Sequence, residues 1–547
     1  MKHFVMLGIA AALVVTQAVG QQPAIAQNGI RNAASYALPG LPNYGVAQGS
    51  IFVVFGTNLG PAKLVQASSF PLPTSNGLSG TSIKITVGGT TVDAIMLYTL
   101  TSQVAAAAPS NTPVGTGTFT VTYNGQTSAP APITVVQSSF GIFTLNQAGS
   151  GAGVLQNFIT AGNQPFNGPT TSAQPGQVIT LWGTGVGPVS GNEAAGPLPG
   201  DLSHLDLHVF VGGKEAAVQY RGRSGCCAGV DQIVFTVPAG VQGCSVSVYV
   251  QIGGVASNFA TMSVGSGGAE CTDAGSLSAS VLQSAMQNGG LRTGVVSVAR
   301  FLSEGPTLTH RNDNLGGNFS KVSLSALQHS IAPSLGSCVV NQFPGYAPAG
   351  SSTGLDAGGV MAATPGGPYT LIAVPSYKGA YGLVFSPSTK GVVPGIVDDG
   401  TLMKPGTYTF NITGGADVGA ATASIDFPMS FAWTNDAAIT SIDRSQPLTI
   451  NWSGGTAGAF VLIEVQSQSS QGVGAALLCY IDATLGTYTV PAAVMSALPA
   501  SYTVSGHPQS SIYVGENFSG AGFAARGLDI GQTSFVDAVD KGPVAVK

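Results

Sequence analysis

The feature that most constrains the fold of this chain is a short phrase that occurs twice. It reads GSIFVVFGTNLGP at residues 49–61 and GQVITLWGTGVGP at residues 176–188. Each copy begins with apolar and β-branched residues, which favour a strand, and ends in glycine and proline, which favour a turn. A strand and turn repeated in this way predict two copies of one folding module.

Three further sequence elements follow both copies in the same order. They are VGG at 87–89 and 211–213, QVAAAAP and QIVFTVP at 103–109 and 232–238, and NGQTS and GGVAS at 124–128 and 253–257. Their spacing drifts by only a few residues, which is typical of fixed strands joined by loops of variable length. Because Ile83, Ile85 and Val87 alternate with polar residues, each module is predicted to be a β-sandwich with one buried face per strand.

The glycines of the repeated phrase are predicted to shape the backbone. We interpret residues 51–55 as a buried strand and residues 56–61 as the turn that ends it, where a positive φ favours glycine. No helix beginning with Lys and Ser or Thr follows either copy, so phosphate binding is not predicted. The repeat turn glycines are Gly56, Gly60, Gly183 and Gly187.

Composition narrows both the fold class and the partners. Charged residues make up 7% of the chain, against about 25% in an average protein, whereas hydrophobic residues at 44% exclude a disordered chain. The 18 basic and 23 acidic residues form no basic cluster, so nucleic acid is excluded as a partner. Abundant glycine, proline, threonine and valine favour an all-β fold in several domains.

The N-terminus has the three regions of a secretory signal peptide. Lys2 precedes an apolar stretch at 4–15, and AIA at 24–26 is a small-x-small cleavage site. No later stretch is long and apolar enough to span a membrane. We therefore expect a mature chain that begins at Gln27 and is secreted, periplasmic or at the cell surface.

The second half is predicted to contain one helix and more strands. SLSASVLQSAMQNGG at 276–290 has apolar residues at helical spacing, and a Gly/Ser-rich linker precedes it. Strand-like runs follow at 369–374, 381–386, 406–412, 447–455 and 459–468. The predicted organisation is a signal peptide at 1–26, β-sandwiches at 27–140 and 141–265, a linker at 266–275, a β-rich domain with an N-terminal helix at 276–430, and a final immunoglobulin-like sandwich at 431–547.

The order of these motifs resembles a known family. A strand followed by GTNLGP or GTGVGP, a VGG hairpin and a closing G-x-x-S strand are similar to the IPT/TIG type of immunoglobulin-like domain. With NAASY at 32–36, GIFT at 141–144 and the cysteine-containing segment 223–244, the arrangement is similar to secreted acidobacterial repeat proteins of the Solibacter type. The resemblance implies tandem immunoglobulin-like sandwiches and brings no activity or cofactor with it.

The six cysteines, all in the exported part, are expected to form structural disulfides. Adjacent Cα atoms lie about 3.8 Å apart, outside the usual disulfide range, so Cys226 and Cys227 are each expected to pair elsewhere. Cys244 and Cys271 are their possible partners, which leaves Cys338 to bond Cys479. A zinc site is not predicted, because such sites need cysteine pairs spaced by two to four residues.

No constellation of side chains predicts catalysis, a cofactor or a metal. GSSTG at 350–354 matches the letters of a nucleophile elbow but lacks the flanking strand and helix. The histidines are scattered, and His204 and His208 have no glutamate between them. A glycoside hydrolase needs a pair of carboxylates that face the sugar, and the acids of this chain stand alone or in predicted turns. The candidate acids are Asp356, Asp398, Asp399, Asp426 and Glu464.

These observations favour a non-enzymatic, structural or adhesive protein built from β-sandwiches, with an extracellular protein or polysaccharide as its partner. The alternative is a carbohydrate-binding accessory protein for polysaccharide breakdown, in which Trp433 and Trp452 would be the aromatic platforms. Trp182 aligns with Phe55 at a strand position that is predicted to be buried. An unrecognised enzyme within residues 276–430 is the third hypothesis.

Overall fold

A computed structural model describes residues 21–265, 270–271, 279–305, 309–323, 332–344, 351–386, 395–397 and 402–547. Within these residues the protein is all-β, and the strands pack as successive β-sandwiches. Most of the predicted signal peptide and linker lies outside the described residues. The first strand begins at Ala24, so the predicted cleavage site falls inside that strand.

The first sandwich consists of two sheets around its own core. One sheet has the order β1-β3-β8-β7-β4, and the other has the order β2-β11-β9-β5-β6 with β10 beside β9. Phe52 and Phe119 meet edge to face in the core, with ring centroids 5.5 Å apart. The strands are Ala24–Asn32 (β1), Val46–Ala47 (β2), Ile51–Thr57 (β3), Val65–Gln66 (β4), Thr81–Val87 (β5), Thr90–Asp93 (β6), Ile95–Leu100 (β7), Gln103–Ala107 (β8), Gly115–Tyr123 (β9), Gln126–Thr127 (β10) and Ala131–Val136 (β11).

In the second sandwich the long strand β17 pairs with both β16 and β18 and joins the strands into one continuous sheet. Its strands connect in the order β12-β14-β18-β17-β16-β19-β20, with β13, β15 and β21 paired at the sides. Ile179, Leu181, Ile233 and Phe235 are fully buried in its core. The strands are Gly141–Ile142 (β12), Leu155–Asn157 (β13), Val178–Thr184 (β14), Gly200–Asp201 (β15), Leu207–Val211 (β16), Lys214–Arg223 (β17), Asp231–Thr236 (β18), Gly243–Ile252 (β19), Val255–Ala256 (β20) and Ala260–Val264 (β21).

The helix and the three strands predicted between residues 276 and 430 are confirmed. The helix, Ala279–Gln287 (α1), is followed by two strands of fourteen residues each, which pair antiparallel over their whole length. The strands are Leu291–Glu304 (β22), Thr309–Val322 (β23), Ser337–Phe343 (β24), Ser352–Gly354 (β25), Val360–Thr364 (β26), Gly367–Ala373 (β27), Ala380–Ser386 (β28), Gly395–Val397 (β29), Gly406–Ile412 (β30) and Ala421–Phe427 (β31).

The last part of the chain is also β-rich and includes a second, four-residue helix, Ala492–Met495 (α2). The predicted strands at 447–455 and 459–468 are present as β34 and β35. The strands are Ala432–Trp433 (β32), Ser441–Ile442 (β33), Leu448–Ser453 (β34), Phe460–Gln468 (β35), Gly474–Asp482 (β36), Thr487–Val490 (β37), Thr503–Val504 (β38), His507–Pro508 (β39), Ser510–Phe523 (β40), Ile530–Lys541 (β41) and Ala545–Val546 (β42).

One continuous sheet joins the strands on the two sides of residue 430. The strand order of this sheet is β24-β36-β35-β40-β41-β22-β23-β28-β27-β26-β30-β31. The strand β41 lies parallel to β22, although the paired residues are far apart in sequence. Phe518 of β40 packs against both hydrophobic cores of this half of the molecule. The sheet therefore continues across the predicted boundary, and the division into domains stays a prediction.

Candidate functional site

The glycines of the repeated phrase occupy two kinds of position. Gly187 has a φ of 138°, as the turn prediction requires, whereas Gly56, Gly60 and Gly183 are not in the left-handed region. Gly56 and Gly183 lie inside β3 and β14, so the prediction that they begin turns was wrong. A Cβ at Gly56 would collide with the carbonyl oxygen of Ala24, which shows that close approach of a neighbouring strand requires the glycine.

The structure pairs the cysteines as Cys226–Cys227, Cys244–Cys271 and Cys338–Cys479. The bond between Cys338 and Cys479 confirms the expectation. The expectation that Cys226 and Cys227 each pair elsewhere was wrong. Cys244 and Cys271, with Cα atoms 5.3 Å apart, bond each other, and therefore Cys226 and Cys227 have only one another as partners.

Polar side chains connect the first sandwich to the second at a buried junction. The Asn32 amide at the end of β1 donates to the carbonyl oxygen of Thr184 in β14 at 3.4 Å. The backbone N–H of Ile51, which opens β3, donates to the Thr184 hydroxyl at 2.8 Å, and that hydroxyl donates to the carbonyl of Gly229 at 2.6 Å. Asn32, Ile51 and Thr184 belong to strands β1, β3 and β14, so the junction has a defined geometry.

Three charged side chains lie at the same junction and are almost completely buried. Arg223 forms ion pairs with Asp231 and with Glu193, whose nearest oxygen is 3.5 Å from Arg223 Nη2. Glu193 also accepts the backbone N–H of Ser110, in the first sandwich, at 2.7 Å. We define Glu193, Arg223 and Asp231 as the junction triad. Removing Arg223 would leave two buried carboxylates without a counter-charge.

The rest of the junction surrounds this triad. Asp231 Oδ2 accepts the backbone N–H groups of Gly185 and Val186 at 2.6 and 2.8 Å. Burial raises the pKa of Asp231, although the Arg223 guanidinium opposes this shift. Gly49, the first residue of the repeated phrase, packs so closely on Arg223 that a Cβ would overlap the guanidinium. The phrase therefore contributes to the junction as well as to its own strand.

Sequence reasoning missed the junction triad. Glu193 is the first charged residue after Asp93, and the stretch between them contains no Asp, Glu, Lys, Arg or His. The one sequence signal was the isolation of Glu193 after so long an uncharged stretch. A single carboxylate in such surroundings indicates that its charge has a specific partner. The identity of that partner, Arg223, depends on the tertiary fold.

A second junction joins the second sandwich to the C-terminal half through a shared hydrophobic core. One cluster of buried residues contains Leu38 and Leu41, Tyr249 and Phe259 of the second sandwich, and Ile463 of β35. The Tyr249 ring lies 4.5 Å from Phe259, centroid to centroid. Burial also raises the pKa of Tyr249. Three parts of the chain are therefore packed into one core.

A cavity of about 240 Å³ lies where these three parts meet. Its polar lining consists of uncharged side chains, among them Ser35, Asn43, Asn258 and Gln342. The Gln342 amide donates to the carbonyl of Tyr36 at 3.2 Å and so links β24 to the N-terminal segment. The lining contributes no carboxylate, imidazole or thiol, so it holds no general acid or base beside its serine hydroxyls.

Two of the three tryptophans are buried. Trp433 and Trp452 are 5% and 4% exposed and belong to the shared core, so neither is the exposed platform that the carbohydrate-binding alternative needs. Trp182 is half-buried rather than buried, and so is Phe55, its counterpart in the first sandwich. The indole N–H of Trp182 donates to Gln156 Oε1 at 2.8 Å.

The histidines considered for catalysis are separated in the structure. His204 is exposed in a loop, and His507 lies in β39. His208 Nδ1 lies 2.6 Å from Glu215 and Nε2 lies 3.0 Å from Asp206; the hydrogen bond with Glu215 is the largest cause that raises the pKa of His208. His329 and the side chain of His310 lie outside the described residues.

The candidate serine and acids have local structural roles. Ser352–Gly354 forms β25, and no helix follows it in the described segment up to residue 386, so GSSTG is not an elbow there. Asp356 accepts the backbone N–H of Gly358 at 2.9 Å, and Asp426 accepts the Thr407 hydroxyl. Glu464 accepts the amide of Gln466. Asp398 and Asp399 lie outside the described residues.

Two kinds of feature are absent from the described part of the chain. No group of three or more His, Cys, Asp or Glu side chains there is placed to hold a metal ion. Among the same residues, none of the helices has both the length and the apolar character that crossing a membrane requires.

Comparison with known proteins gives no family assignment. No protein-family model matches the chain, and no curated protein matches it. Domains 5–6 of the S-layer protein SbsC are similar to 45% of this chain over 99% of their own length, with 12% identity and a TM-score of 0.17. The I9–I11 tandem of titin is similar to 70% of this chain over 94% of its length, with 9% identity and a TM-score of 0.13. Such low TM-scores carry no argument about function.

Proposed function

We propose that the protein is a secreted or cell-surface, non-enzymatic protein with a structural or adhesive role, in which β-sandwiches are held as one rigid array. The observation that carries the proposal is the shared hydrophobic core, which contains residues of the N-terminal segment, the second sandwich and the C-terminal half. The junction triad supports the same conclusion between the first two sandwiches. Rigid junctions suit a protein that presents a surface or transmits a mechanical load.

The compartment and the family are part of this proposal. Three disulfides among the described residues are compatible with an oxidising, extracellular compartment. The resemblance of the tandem phrases to IPT/TIG-type domains of secreted acidobacterial proteins supports the same location. The proposed units are the signal peptide at 1–26, sandwiches at 27–140 and 141–265, a linker at 266–275, and β-rich units at 276–430 and 431–547.

Export and surface exposure can be tested together in an exporting bacterium. The full-length protein with a C-terminal epitope should appear in the culture fluid or be degraded by protease added to intact cells. The matched control is Leu13→Arg, which places a charge in the apolar part of the predicted signal peptide and should retain the protein in the cytoplasm. Cytoplasmic retention of the unaltered protein would contradict the proposal.

The proposal that the protein is not an enzyme is tested by a separate measurement. The purified protein is incubated with a panel of polysaccharides, esters and peptides, and soluble products are quantified. We expect no turnover above a heat-denatured control. Turnover that disappears when a single carboxylate, such as Asp356 or Asp426, is changed to the corresponding amide would assign an enzyme instead.

A further inference from the structure

The second sandwich has an outward face that its core does not use. In β14 and β18, Ile179, Leu181, Ile233 and Phe235 point into the core, so the residues between them point outward. Cross-strand neighbours share a face, and therefore the register identifies the outward residues of the adjoining strands. We define the outward side of β13, β14, β18 and β17 as the aromatic face.

The middle row of the aromatic face crosses five neighbouring segments. Registered pairs connect Phe166 to Gln156, Gln156 to Thr180, Thr180 to Val234, and Val234 to Tyr220. With strands about 4.8 Å apart, the four steps between these residues span about 19 Å. The row therefore has an aromatic ring at each end, with the Gln156 amide and the buried Thr180 between them.

The neighbouring rows add further rings and amides. Trp182 is registered with Gln232 on one side of the middle row. On the other side, the backbone N–H of Phe158 donates to the carbonyl of Val178 at 3.0 Å, which places Phe158 beside β14. The Trp182 indole is held by its hydrogen bond to Gln156, so its orientation is fixed before any ligand binds.

Several of these apolar side chains are unusually exposed. Phe166 is 55% exposed, Phe158 is 42% exposed and the adjacent Ile159 is 54% exposed. Clustered exposed aromatic residues on a folded domain are typical of binding surfaces rather than of ordinary surface. The aromatic face is therefore the strongest candidate for a binding site in the described part of the protein.

The charge of this face restricts its ligand. Within β13, β14, β18 and β17 the outward residues of the three rows include no Asp, Glu, Lys, Arg or His, and the one charge that continues a row is Asp201 of β15, opposite Gly222 at the edge of the face. An anionic ligand would lose hydration there without gaining a partner, and Asp201 would repel it. An apolar protein partner would leave the amides and hydroxyls of the face unpaired, which is also unfavourable.

We propose that the aromatic face binds a neutral polysaccharide chain. The C–H faces of sugar rings stack on aromatic side chains such as Trp182 and Phe166, and sugar hydroxyls form hydrogen bonds with side-chain amides such as Gln156 and Gln232. A row of about 19 Å suits an extended chain of several sugars rather than a single sugar. The inference adds a ligand to the proposed array and does not depend on how rigid that array is.

Affinity gel electrophoresis of the full-length mature protein tests the ligand class. The gels contain neutral polymers (xyloglucan, galactomannan, mixed-linkage β-glucan) or charged polymers (alginate, polygalacturonate). We expect at least one neutral polymer to slow the protein and the charged polymers to leave its mobility unchanged. Unchanged mobility in every neutral polymer, or stronger retardation by a charged one, would overturn the inference.

Variants test the position of the site. Trp182→Ala and Phe166→Ala should each weaken retardation at least tenfold. Phe166 is largely exposed, so its replacement keeps the core intact if Trp182→Ala proves unstable. The matched control is Phe55→Ala, at the equivalent position of the first sandwich, which should bind like the unaltered protein. Retardation that is equal in the unaltered protein and in both face variants would refute the assignment.

A final experiment distinguishes a polysaccharide ligand from a protein ligand. Isolated bacterial envelopes are incubated with the protein before and after periodate oxidation, which destroys sugar rings and leaves most polypeptide intact. Loss of Phe166-dependent retention after periodate supports the polysaccharide, whereas unchanged retention would assign the face to a protein and overturn the inference. Export and protease accessibility do not depend on these side chains, so failure here leaves the proposed function separately testable.

Discussion

Gly49 shows how one residue serves both a turn and a junction. Its φ of 72° disfavours any side chain, and a Cβ would overlap Arg223. Gly176, its counterpart in the second sandwich, has a φ of 85° but nothing within 4 Å of a Cβ. Gly176→Ala should therefore cost only the strain of the left-handed conformation, about 1–2 kcal/mol.

Gly49→Ala should lower the free energy of unfolding further, because displacing Arg223 disturbs a buried ion pair worth about 3–5 kcal/mol when one partner is lost. Urea denaturation of both variants, analysed by linear extrapolation, measures the difference. Equal losses for Gly49→Ala and Gly176→Ala would show that the guanidinium moves aside without cost.

Glu516 predicts a pH dependence of stability. It is fully buried in β40, and its Oε1 accepts the backbone N–H of Thr456 at 2.5 Å. Burial raises the pKa of Glu516, and the nearby charge of Asp537 adds to the shift. A folded-state pKa above the unfolded value means that this carboxyl stabilises the fold at low pH and loses that contribution as pH rises through the folded pKa.

Glu516→Gln should therefore unfold at a higher denaturant concentration than the unaltered protein at pH 7, because the amide keeps an acceptor for Thr456 without a buried charge. At pH 4, near the unfolded pKa, the difference should largely disappear. Denaturation midpoints measured between pH 4 and pH 8 should follow this trend. A variant that is less stable than the unaltered protein at pH 7 would mean that Glu516 is stabilised as a carboxylate.

At the scale of elements, the disulfides differ most in the loops they close. Cys338 and Cys479 lie directly opposite each other on β24 and β36 and join residues 141 apart in sequence, whereas Cys226 and Cys227 are adjacent. A long loop loses more unfolded-state entropy on closure than a short one. Replacing Cys338 and Cys479 by alanine should cost about 2–5 kcal/mol.

The matched control is the double alanine variant at Cys226 and Cys227, which opens no loop and should cost less than about 1 kcal/mol by the same reasoning. Thermal unfolding under non-reducing conditions compares the two variants. If removing Cys226–Cys227 proved the more costly change, the entropic account of these bonds would be wrong.

Strands and the helix could be predicted from the sequence because their signals are local. Alternation as in β5 and β35 and the helical spacing before Gly289 identify elements without knowledge of their neighbours. The solvent exposure of a side chain that points away from its own sheet cannot be predicted in this way. Trp182 remains half-exposed while Trp433 is buried, because the exposure of each ring depends on which elements cover its face. The parallel pairing of β22 with β41 likewise has no local signal.

At the scale of the whole molecule, the shared core argues that the parts unfold together. Tyr249 and Phe259 of the second sandwich are buried in a cluster that also contains Leu41 and residues of β35 and β36. Burying one large apolar side chain is worth about 1.5–3 kcal/mol. Separating these parts would expose several such side chains and would therefore cost several kcal/mol. An array of independent modules would lack this coupling.

The last prediction follows from that coupling and compares residues 27–547 with the fragment 27–271, which keeps the Cys244–Cys271 bond. Each of the first two sandwiches has its own core, so the fragment should fold. Its Tyr249 and Phe259 lack their C-terminal partners, and each kcal/mol lost lowers the Tm of a domain of this size by about 2–4 °C. Calorimetry should show one transition for the whole mature chain and a Tm several degrees lower for the fragment. Two transitions in the whole chain, the first at the Tm of the fragment, would mean that the shared core does not couple the sandwiches and that the array is flexible.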